Sequence, residues 1–329
     1  MSVLITGTSG FVGGALGRAL RASGHHVIGL SRQPARVGSA DIAVRHDLAQ
    51  PLPATLQANT VIHAAALSAP WGAPARFEAS NVTATRNVID WAMRQSARVI
   101  YISSTAVLYD GTDQHDLPET PAPATRPLNL YAATKRLAEG LVMATELPWA
   151  ILRPRAVYGV GDTVLFPRVA RAARLRLLPE ITRPDGRDPI ADVVSIDAVV
   201  RFVRRALEGK ATGIFHLTDG APVGVRSFLK GALIATELPG PSFSLSDARA
   251  RQVAKGLEAV SAHTGWWEPP LTQFGVSVFS RDTVLKTARA DTALGAQRPD
   301  RDEALARFAR WWSAGARLDD PAMGRVGQW

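Results

Sequence analysis

The most constraining feature of the sequence is a strand, a glycine-rich turn and a helix in immediate succession at its start. Residues 2–6 form an apolar run with β-branched side chains, Gly7, Gly10 and Gly13 follow as Gly-x-x-Gly-x-x-Gly, and residues 14–20 form a small-residue helical pattern. The first glycine permits a tight turn, the second lets the backbone approach a pyrophosphate, and the third lets the helix pack close to the strand. Because the N-terminus of a helix attracts phosphate, the chain is predicted to bind a dinucleotide.

Length and composition indicate a globular protein of one large α/β domain, or of a nucleotide domain with a smaller partner. The chain has 329 residues, of which 46% are hydrophobic, and it contains no cysteine, which excludes disulfides and thiolate metal sites. The first strand begins at residue 2 or 3 and leaves no room for a signal peptide. No apolar run approaches the length of a membrane span. We therefore expect a cytoplasmic protein without a membrane span.

The net charge of +9 raises the question of a nucleic-acid partner. The arginines are spread along the whole chain, without a long basic run and without interleaved aromatic residues. We therefore expect no nucleic-acid partner, and an electropositive groove that attracts an anionic cofactor is the better interpretation.

Alternating strand and helix patterns predict a Rossmann-type doubly wound parallel sheet. A smaller, mostly C-terminal α/β substrate-binding part is predicted because proline and glycine become denser after residue 160. The NADP-binding Rossmann domain is assigned to residues 1–160 with a return at 190–217, and the substrate-binding part to 161–189 and 218–329. The ligand is expected between the two parts, at the carboxyl ends of the strands. Later strands are predicted at 26–30, 41–45, 60–64, 98–103, 149–152 and 213–217, and helices at 81–93, 131–144 and 194–206.

A phenol and an ammonium group occupy one face of the predicted helix 131–144. Tyr131 and Lys135 are four residues apart, which places them on neighbouring helical turns. A tyrosine with a pKa of about 10 needs a nearby positive charge to act as an acid/base near neutrality, and Lys135 and an oxidised nicotinamide would supply it. The strand 98–103 leads into Ser103, Ser104 and Thr105, whose hydroxyls either cap the strand end or bind a substrate oxygen.

With the glycine-rich turn, the hydroxyl run and the Tyr131–Lys135 pair in this order, the chain resembles an extended short-chain dehydrogenase/reductase of the epimerase/dehydratase type. Residues 63–66, 81–88, 152–154, 157–159 and 194–199 match further motifs of that family. The resemblance implies that Thr105 is the hydroxyl member of the site, that Tyr131 is the acid/base, and that Lys135 tunes Tyr131 and binds ribose. It also implies cofactor contacts at Gly7, Ser9, Gly10, Phe11, Val12, Gly13, Asp47, Leu48, Ala64, Ala65, Ala66, Asn81, Ser103, Tyr131, Lys135, Pro154, Arg155 and Val157.

The chain departs from the family pattern at two positions. Members that use NAD usually carry an acidic residue at the end of the second strand, where this chain has Ser31 and Arg32. Arg32, with Arg36, can pair with a 2′-phosphate, so NADP(H) is favoured over NAD(H), the alternative being a solvated loop arginine. Nucleotide-sugar members often have Asn where this chain has Ala156, which weakens the case for a nucleotide-sugar substrate.

Other stretches resemble the 3β-hydroxysteroid-dehydrogenase-like branch, which includes reductases of long-chain β-keto acids. Residues 65–72, 126–131 and 269–275 carry this likeness and imply an apolar keto or hydroxy substrate. Aromatic residues beside proline and glycine are expected to line or cover its pocket, or to pack the smaller part's own core. These candidate substrate contacts are Trp71, Trp266, Trp267 and Phe274.

The leading hypothesis is thus an NADP(H)-dependent ketoreductase or alcohol dehydrogenase. A nucleotide-sugar epimerase, dehydratase or reductase is the alternative enzyme, and a non-catalytic dinucleotide sensor is the alternative of another class, disfavoured by Tyr131 with Lys135. No acidic or histidine cluster has metal-ligand spacing, and His63 is expected in the core. Trp311 and Trp312 are expected in the core or at the contact of a homodimer.

Overall fold

The computed structural model describes residues 1–33, 38–122 and 126–315. Its strands are β1 Ser2–Thr6, β2 His26–Ser31, β3 Ile42–Arg45, β4 Thr60–His63, β5 Arg98–Ile102, β6 Gln114–Leu117, β7 Trp149–Pro154, β8 Val157–Tyr158, β9 Pro179–Thr182, β10 Ile190–Ala191, β11 Val194–Ser195, β12 Gly213–Leu217, β13 Val223–Gly224, β14 Phe243–Ser246 and β15 Thr283–Leu285. The α-helices are α1 Phe11–Ala22, α2 Pro74–Phe77, α3 Ala84–Gln95, α4 Leu130–Met143, α5 Phe166–Arg174, α6 Ile196–Glu208, α7 Val225–Ala235, α8 Asp247–His263, α9 Gln273–Ser280, α10 Ala288–Leu294 and α11 Arg301–Ser313.

A seven-stranded parallel sheet organises the first two thirds of the chain. Its strand order is β12-β7-β5-β4-β1-β2-β3, so the order reverses between β1 and β4. The buried strands are continuous apolar runs because helices cover both faces of the sheet. One face packs against α1 and α6, and the other packs against α3 and α4. The predicted Rossmann-type doubly wound fold is confirmed.

Two predicted helices have different boundaries in the structure. The helix predicted at 81–93 is a π-helix over Glu78–Thr83 that continues as α3. The helix predicted at 194–206 begins only at Ile196, because residues 194–195 form β11, which pairs with β8. The Ser195 hydroxyl accepts a hydrogen bond from the Ala198 amide at 3.2 Å and caps the helix there.

The smaller part is built from short sheets and helices. Four strands pair in the order β13-β10-β15-β6, so this sheet takes β6 and β10 from the ranges assigned to the Rossmann domain, and β9 pairs with β14. Helix α10 belongs to the large core, since Ala290 and Leu294 pack with α6 residues. Trp312 is buried against Phe166 and Phe308, which places it in a core cluster. The domain boundaries given above stay a prediction.

Within the three described segments, no helix is long and apolar enough to cross a membrane. The same segments contain no group of three or more His, Cys, Asp or Glu side chains that could hold a metal ion.

Candidate active site

The glycine turn after β1 forms a cradle that has no room for side chains. Gly7 has a φ of +77°, and its amide donates a hydrogen bond to Leu30 O at 2.7 Å. A Cβ on Gly13 would lie 2.3 Å from Gly7 O, and a Cβ on Gly7 would lie 2.9 Å from the Ala65 Cα. The Gly10 amide closes the turn onto Gly7 O at 2.8 Å. The turn thus brings bare backbone and the start of α1 together, which fits a pyrophosphate.

Two further glycines, not assigned from the sequence, seat the loop after β2. A Cβ on Gly17 would lie 2.0 Å from Ser39 O, so this loop rests directly on α1. A Cβ on Gly29 would lie 2.8 Å from the Thr8 hydroxyl oxygen. Gly17 lies in the small-residue helix α1 and Gly29 in β2, and only the close approach of neighbouring atoms shows why these positions need glycine.

A hydrogen-bond chain at the end of β4 fixes the turn at 64–66. His63 Nδ1 lies 2.7 Å from the Thr6 hydroxyl, and His63 Nε2 lies 3.0 Å from the Thr85 hydroxyl. The Ala65 amide donates to the Thr6 hydroxyl at 3.1 Å. Burial lowers the pKa of His63 to about 3. His63 is therefore a neutral core residue, as expected, and it positions a turn where cofactor contacts are predicted.

Asn81 joins this turn to the helix that carries the predicted acid/base. Its side-chain oxygen accepts a hydrogen bond from the Leu67 amide at 2.7 Å, and its Nδ2 donates to the Thr134 hydroxyl at 3.0 Å. The side chain is buried and lies in the π-helix. Asn81 thus positions the site through the chain itself, and a direct cofactor contact stays a prediction.

Basic side chains gather at the ends of β2 and β3. Arg32 is exposed, and Arg45 Nε donates to Arg32 O at 3.2 Å. The Ser31 hydroxyl donates to Gln33 O at 2.6 Å. Arg45 was missed from the sequence because only the pairing of Ser31 with Arg45 brings it there. Arg36 lies outside the described residues.

The turn that contains Asp47 and Leu48 lies where the adenine end of the cofactor is predicted. Asp47 is exposed and caps a short turn by accepting from the Ala49 amide at 3.0 Å, and Leu48 is buried. The Asn87 side chain donates to Leu48 O at 2.8 Å, which ties this turn to α3.

Helix α4 presents Tyr131 and Lys135 to the end of β5. The helix begins after Asn129, whose side chain accepts from the Ala132 amide at 2.8 Å. Lys135 is buried, its Nζ donates to Ile102 O at 2.6 Å, and it lies 4.3 Å from the centre of the Tyr101 ring. Burial lowers the pKa of Lys135 to about 7. The two side chains thus share one helix face, and the Lys135 side chain is hydrogen bonded to the last residue of β5.

The environment of Tyr131 includes two serine hydroxyls, one of which, Ser68, the sequence did not single out as a site residue. Burial raises the pKa of Tyr131, and hydrogen bonding to Ser104 and Ser68 opposes this. The predicted hydroxyl member, Thr105, is buried and its hydroxyl lies 2.8 Å from the Tyr109 hydroxyl. Ser104 belongs to the hydroxyl run already noted, whereas Ser68 lies far away in sequence. The structure thus places Ser104 next to the phenol and turns Thr105 towards Tyr109.

The Ser103 hydroxyl lies at the same edge of the sheet, directly after β5. It is buried, and no hydrogen-bond partner for it lies among the residues that the structure describes. Such a group in a native fold calls for a ligand or water. Together with the glycine cradle, it shows that the residues present fit a bound dinucleotide.

The segment after β7 carries two buried arginines with different surroundings. Arg153 forms two hydrogen bonds with the Glu139 carboxylate, at 2.8 and 2.6 Å, and both side chains are fully buried. Arg155 is 4% exposed and its guanidinium lies 5.2 Å from the centre of the Tyr109 ring. Pro154 ends β7, and Val157 begins β8. Arg153 is paired within the core, whereas Arg155 lies against Tyr109, which shares a cluster with Tyr131.

The four predicted substrate residues separate into two groups. Phe274 stacks on Tyr109 with ring centres 6.3 Å apart and packs in the same cluster as Tyr131. Trp71 contacts Trp266 with ring centres 5.6 Å apart, which joins the loop after β4 to the segment after α8. Trp267 is 40% exposed and its Nε1 donates to Thr264. Only Phe274 shares a side-chain cluster with the predicted acid/base.

Comparison with known proteins agrees with this arrangement. The model of the NAD dependent epimerase/dehydratase family matches residues 3–216. A 2-alkyl-3-oxoalkanoate reductase of Stenotrophomonas maltophilia is 31% identical over 314 residues, covering 83% of this chain and 88% of that protein. A 4-hydroxy-2-methyl-3-oxo-4-farnesyl-3,4-dihydroquinoline-1-oxide ketoreductase of Stigmatella aurantiaca is 29% identical over 312 residues, covering 90% and 91%.

Among solved structures, MoeE5 in complex with UDP-glucuronic acid and NAD is similar with a TM-score of 0.71 and 26% identity, covering 94% of this chain and 98% of that one. These findings support a dinucleotide cofactor and an enzyme that acts on CH–OH or C=O groups. The chain belongs to the NAD dependent epimerase/dehydratase family and is an extended short-chain dehydrogenase/reductase.

Proposed function

We propose that the protein is an NADP(H)-dependent ketoreductase or alcohol dehydrogenase that acts on a mostly apolar keto or hydroxy substrate. The observation that carries this proposal is the setting of Tyr131, whose phenol interacts with the Ser104 and Ser68 hydroxyls and whose ring packs in an apolar cluster with Leu128 and Phe274. Polar groups beside apolar side chains suit a carbonyl on a hydrophobic skeleton.

In the direction of reduction, a nicotinamide cofactor held by the glycine turn would supply the hydride that the carbonyl carbon takes up. Tyr131 gives its phenolic proton to the carbonyl oxygen, so that the carbonyl becomes an alcohol and the phenol becomes a phenolate. Hydrogen bonding with Ser104 and Ser68 lowers the pKa of the same phenol against the effect of burial. The protonated form of Lys135 favours the phenolate that this step leaves. We assign one of two roles to the Thr105 hydroxyl: a hydrogen bond with the substrate oxygen, or the positioning of Tyr109 through the hydroxyl contact described above.

The first prediction concerns the choice of cofactor. In the variant Arg32→Ala we expect about a ten- to hundredfold weaker affinity for NADPH and little change for NADH, because only NADPH carries the 2′-phosphate and a charge-assisted hydrogen bond contributes roughly 1.5–3 kcal/mol. Isothermal titration with each cofactor measures this. Arg204→Ala, at an exposed arginine on α6, is the matched control. Equal losses for both cofactors would show that Arg32 has only a structural role.

The second prediction concerns the substrate class. With NADP⁺ present, we expect protection against thermal unfolding to rise along a series of ketones of increasing chain length, because each buried methylene contributes about 0.8 kcal/mol. Differential scanning fluorimetry measures the melting temperature for each ketone. UDP-glucuronic acid is the contrasting ligand, since it is bound in the similar structure of MoeE5.

We expect no protection by the nucleotide sugar, because Ala156 stands where sugar-binding members often have Asn. If UDP-glucuronic acid raised the melting temperature and the ketones did not, the nucleotide-sugar alternative would replace the ketoreductase proposal.

A further inference from the structure

The Arg155 guanidinium is a buried cation with no hydrogen-bonded or ion-paired carboxylate among the described residues. The residue is 4% exposed, its Nε is buried without a hydrogen-bond partner, and its amide is held by Leu217 O at 3.2 Å. Over residues 1–33, 38–122 and 126–315, no hydrogen bond or ion pair to this guanidinium is present. A buried charge in this condition is costly unless a ligand completes the pair.

Arg153, two residues before Arg155, is by contrast a buried arginine with hydrogen-bond partners. Arg153 has the Glu139 carboxylate and Thr120 O as partners. The carboxylate that interacts electrostatically with Arg155 is Asp192, but it accepts a hydrogen bond from the Leu285 amide at 2.8 Å and forms no ion pair with Arg155. Burial raises the pKa of Asp192, and the nearby charge of Arg155 opposes this rise.

The place of Arg155 connects it to the predicted chemistry. Its guanidinium lies over one side of the Tyr109 ring, and the Tyr109 hydroxyl lies 2.8 Å from the Thr105 hydroxyl. Tyr109 also stacks with Phe274 and shares a cluster with Tyr131. Tyr109 therefore links Arg155 to the cluster that contains Tyr131 and Phe274.

We propose that Arg155 binds a carboxylate of the substrate, so that the substrate is an apolar keto or hydroxy acid in its anionic form. The planar guanidinium matches a carboxylate in bidentate geometry. The inference rests on the proposed ketoreductase function and narrows its substrate class. The Stenotrophomonas relative, a 2-alkyl-3-oxoalkanoate reductase, is named for such an acid.

The experiment compares an acid with its neutral ester in the direction of oxidation, where the substrates are stable. Wild type, Arg155→Gln and Arg155→Lys are assayed with NADP⁺ on 3-hydroxydecanoate and on methyl 3-hydroxydecanoate. We expect wild type to prefer the acid, and we expect the acid-to-ester ratio of kcat/KM to fall about ten- to hundredfold in Arg155→Gln, with partial recovery in Arg155→Lys. Arg204→Gln is the control arginine, at the surface.

Two readouts separate this inference from other outcomes. Affinity for NADP⁺ is measured in parallel, and a loss there that matches the loss for the acid would assign Arg155 to the cofactor and overturn the proposal. Equal kcat/KM values of wild type for acid and ester would overturn it as well, while leaving the ketoreductase function intact.

A binding comparison keeps the inference testable if Arg155→Gln does not fold or if neither compound is turned over. Decanoate and methyl decanoate are titrated against NADP⁺-saturated wild type, and tighter binding of decanoate by tenfold or more supports the anion site. Equal binding contradicts it. Absence of turnover with both hydroxy compounds counts against the proposed function, and the binding result then decides the anion site alone.

Discussion

Replacing Tyr131 by Phe is expected to lower kcat by about 10²–10⁴-fold, because it removes the proton donor and keeps the ring. The ring packs with Leu128 and Phe274 and with the loop that carries Leu67, so the variant should fold normally. Steady-state turnover of a ketone with NADPH measures the loss, and titration of NADPH shows that the cofactor still binds.

Two hydroxyl variants provide the comparison for this result. Thr105→Val removes the hydrogen bond to Tyr109 but leaves the proton donor, so its loss of turnover should be smaller. Ser104→Ala removes a hydroxyl that hydrogen bonds with the Tyr131 phenol and should also have a smaller effect than Tyr131→Phe. Turnover of Tyr131→Phe close to that of wild type would refute the assignment of Tyr131 as acid/base.

Replacing Arg153 by Met is expected to lower the free energy of unfolding by about 3–5 kcal/mol, because it leaves the Glu139 carboxylate buried without its partner. The pair is fully buried, connects α4 to β7, and lies one helical turn from Lys135. Urea unfolding followed by circular dichroism at pH 7 measures the difference.

The surface ion pair of Arg204 with Glu208 is the matched control, since both of its side chains are more than 40% exposed. Arg204→Met should change the free energy of unfolding by no more than about 1 kcal/mol. Similar effects of the two substitutions would mean that the Arg153–Glu139 pair contributes little to stability.

The features predictable from the sequence were those with a local physical cause. Residues 3–5 and 99–102 are continuous apolar runs, as is typical of strands in a sheet that is covered on both faces, and the structure has strands at both places. The glycine spacing predicted a turn in which Gly13 has no room for a Cβ. Tyr131 and Lys135 lie on one helix because their spacing fits the helical period.

The features that were not predictable depend on contacts between distant segments. The π-helix at 78–83 has an ordinary helical pattern, and Ser195 caps α6 only because residues 194–195 pair with β8. Arg45 approaches Arg32 through strand pairing. That Arg155 has no hydrogen-bonded or ion-paired carboxylate among the described residues, whereas Arg153 has one, follows from where Glu139 lies and not from any spacing.

The most direct test of the proposed function is whether the hydride is transferred permanently from the cofactor to the substrate. Deuterium-labelled NADPH and a long-chain 3-oxo acid are incubated with the protein, and cofactor loss and product deuteration are followed by absorbance and mass spectrometry. We predict one NADPH consumed for each alcohol formed, with one deuterium on the carbinol carbon. Interconversion of a nucleotide sugar without net consumption of the cofactor, and no deuterated alcohol from the keto acid, would contradict the account.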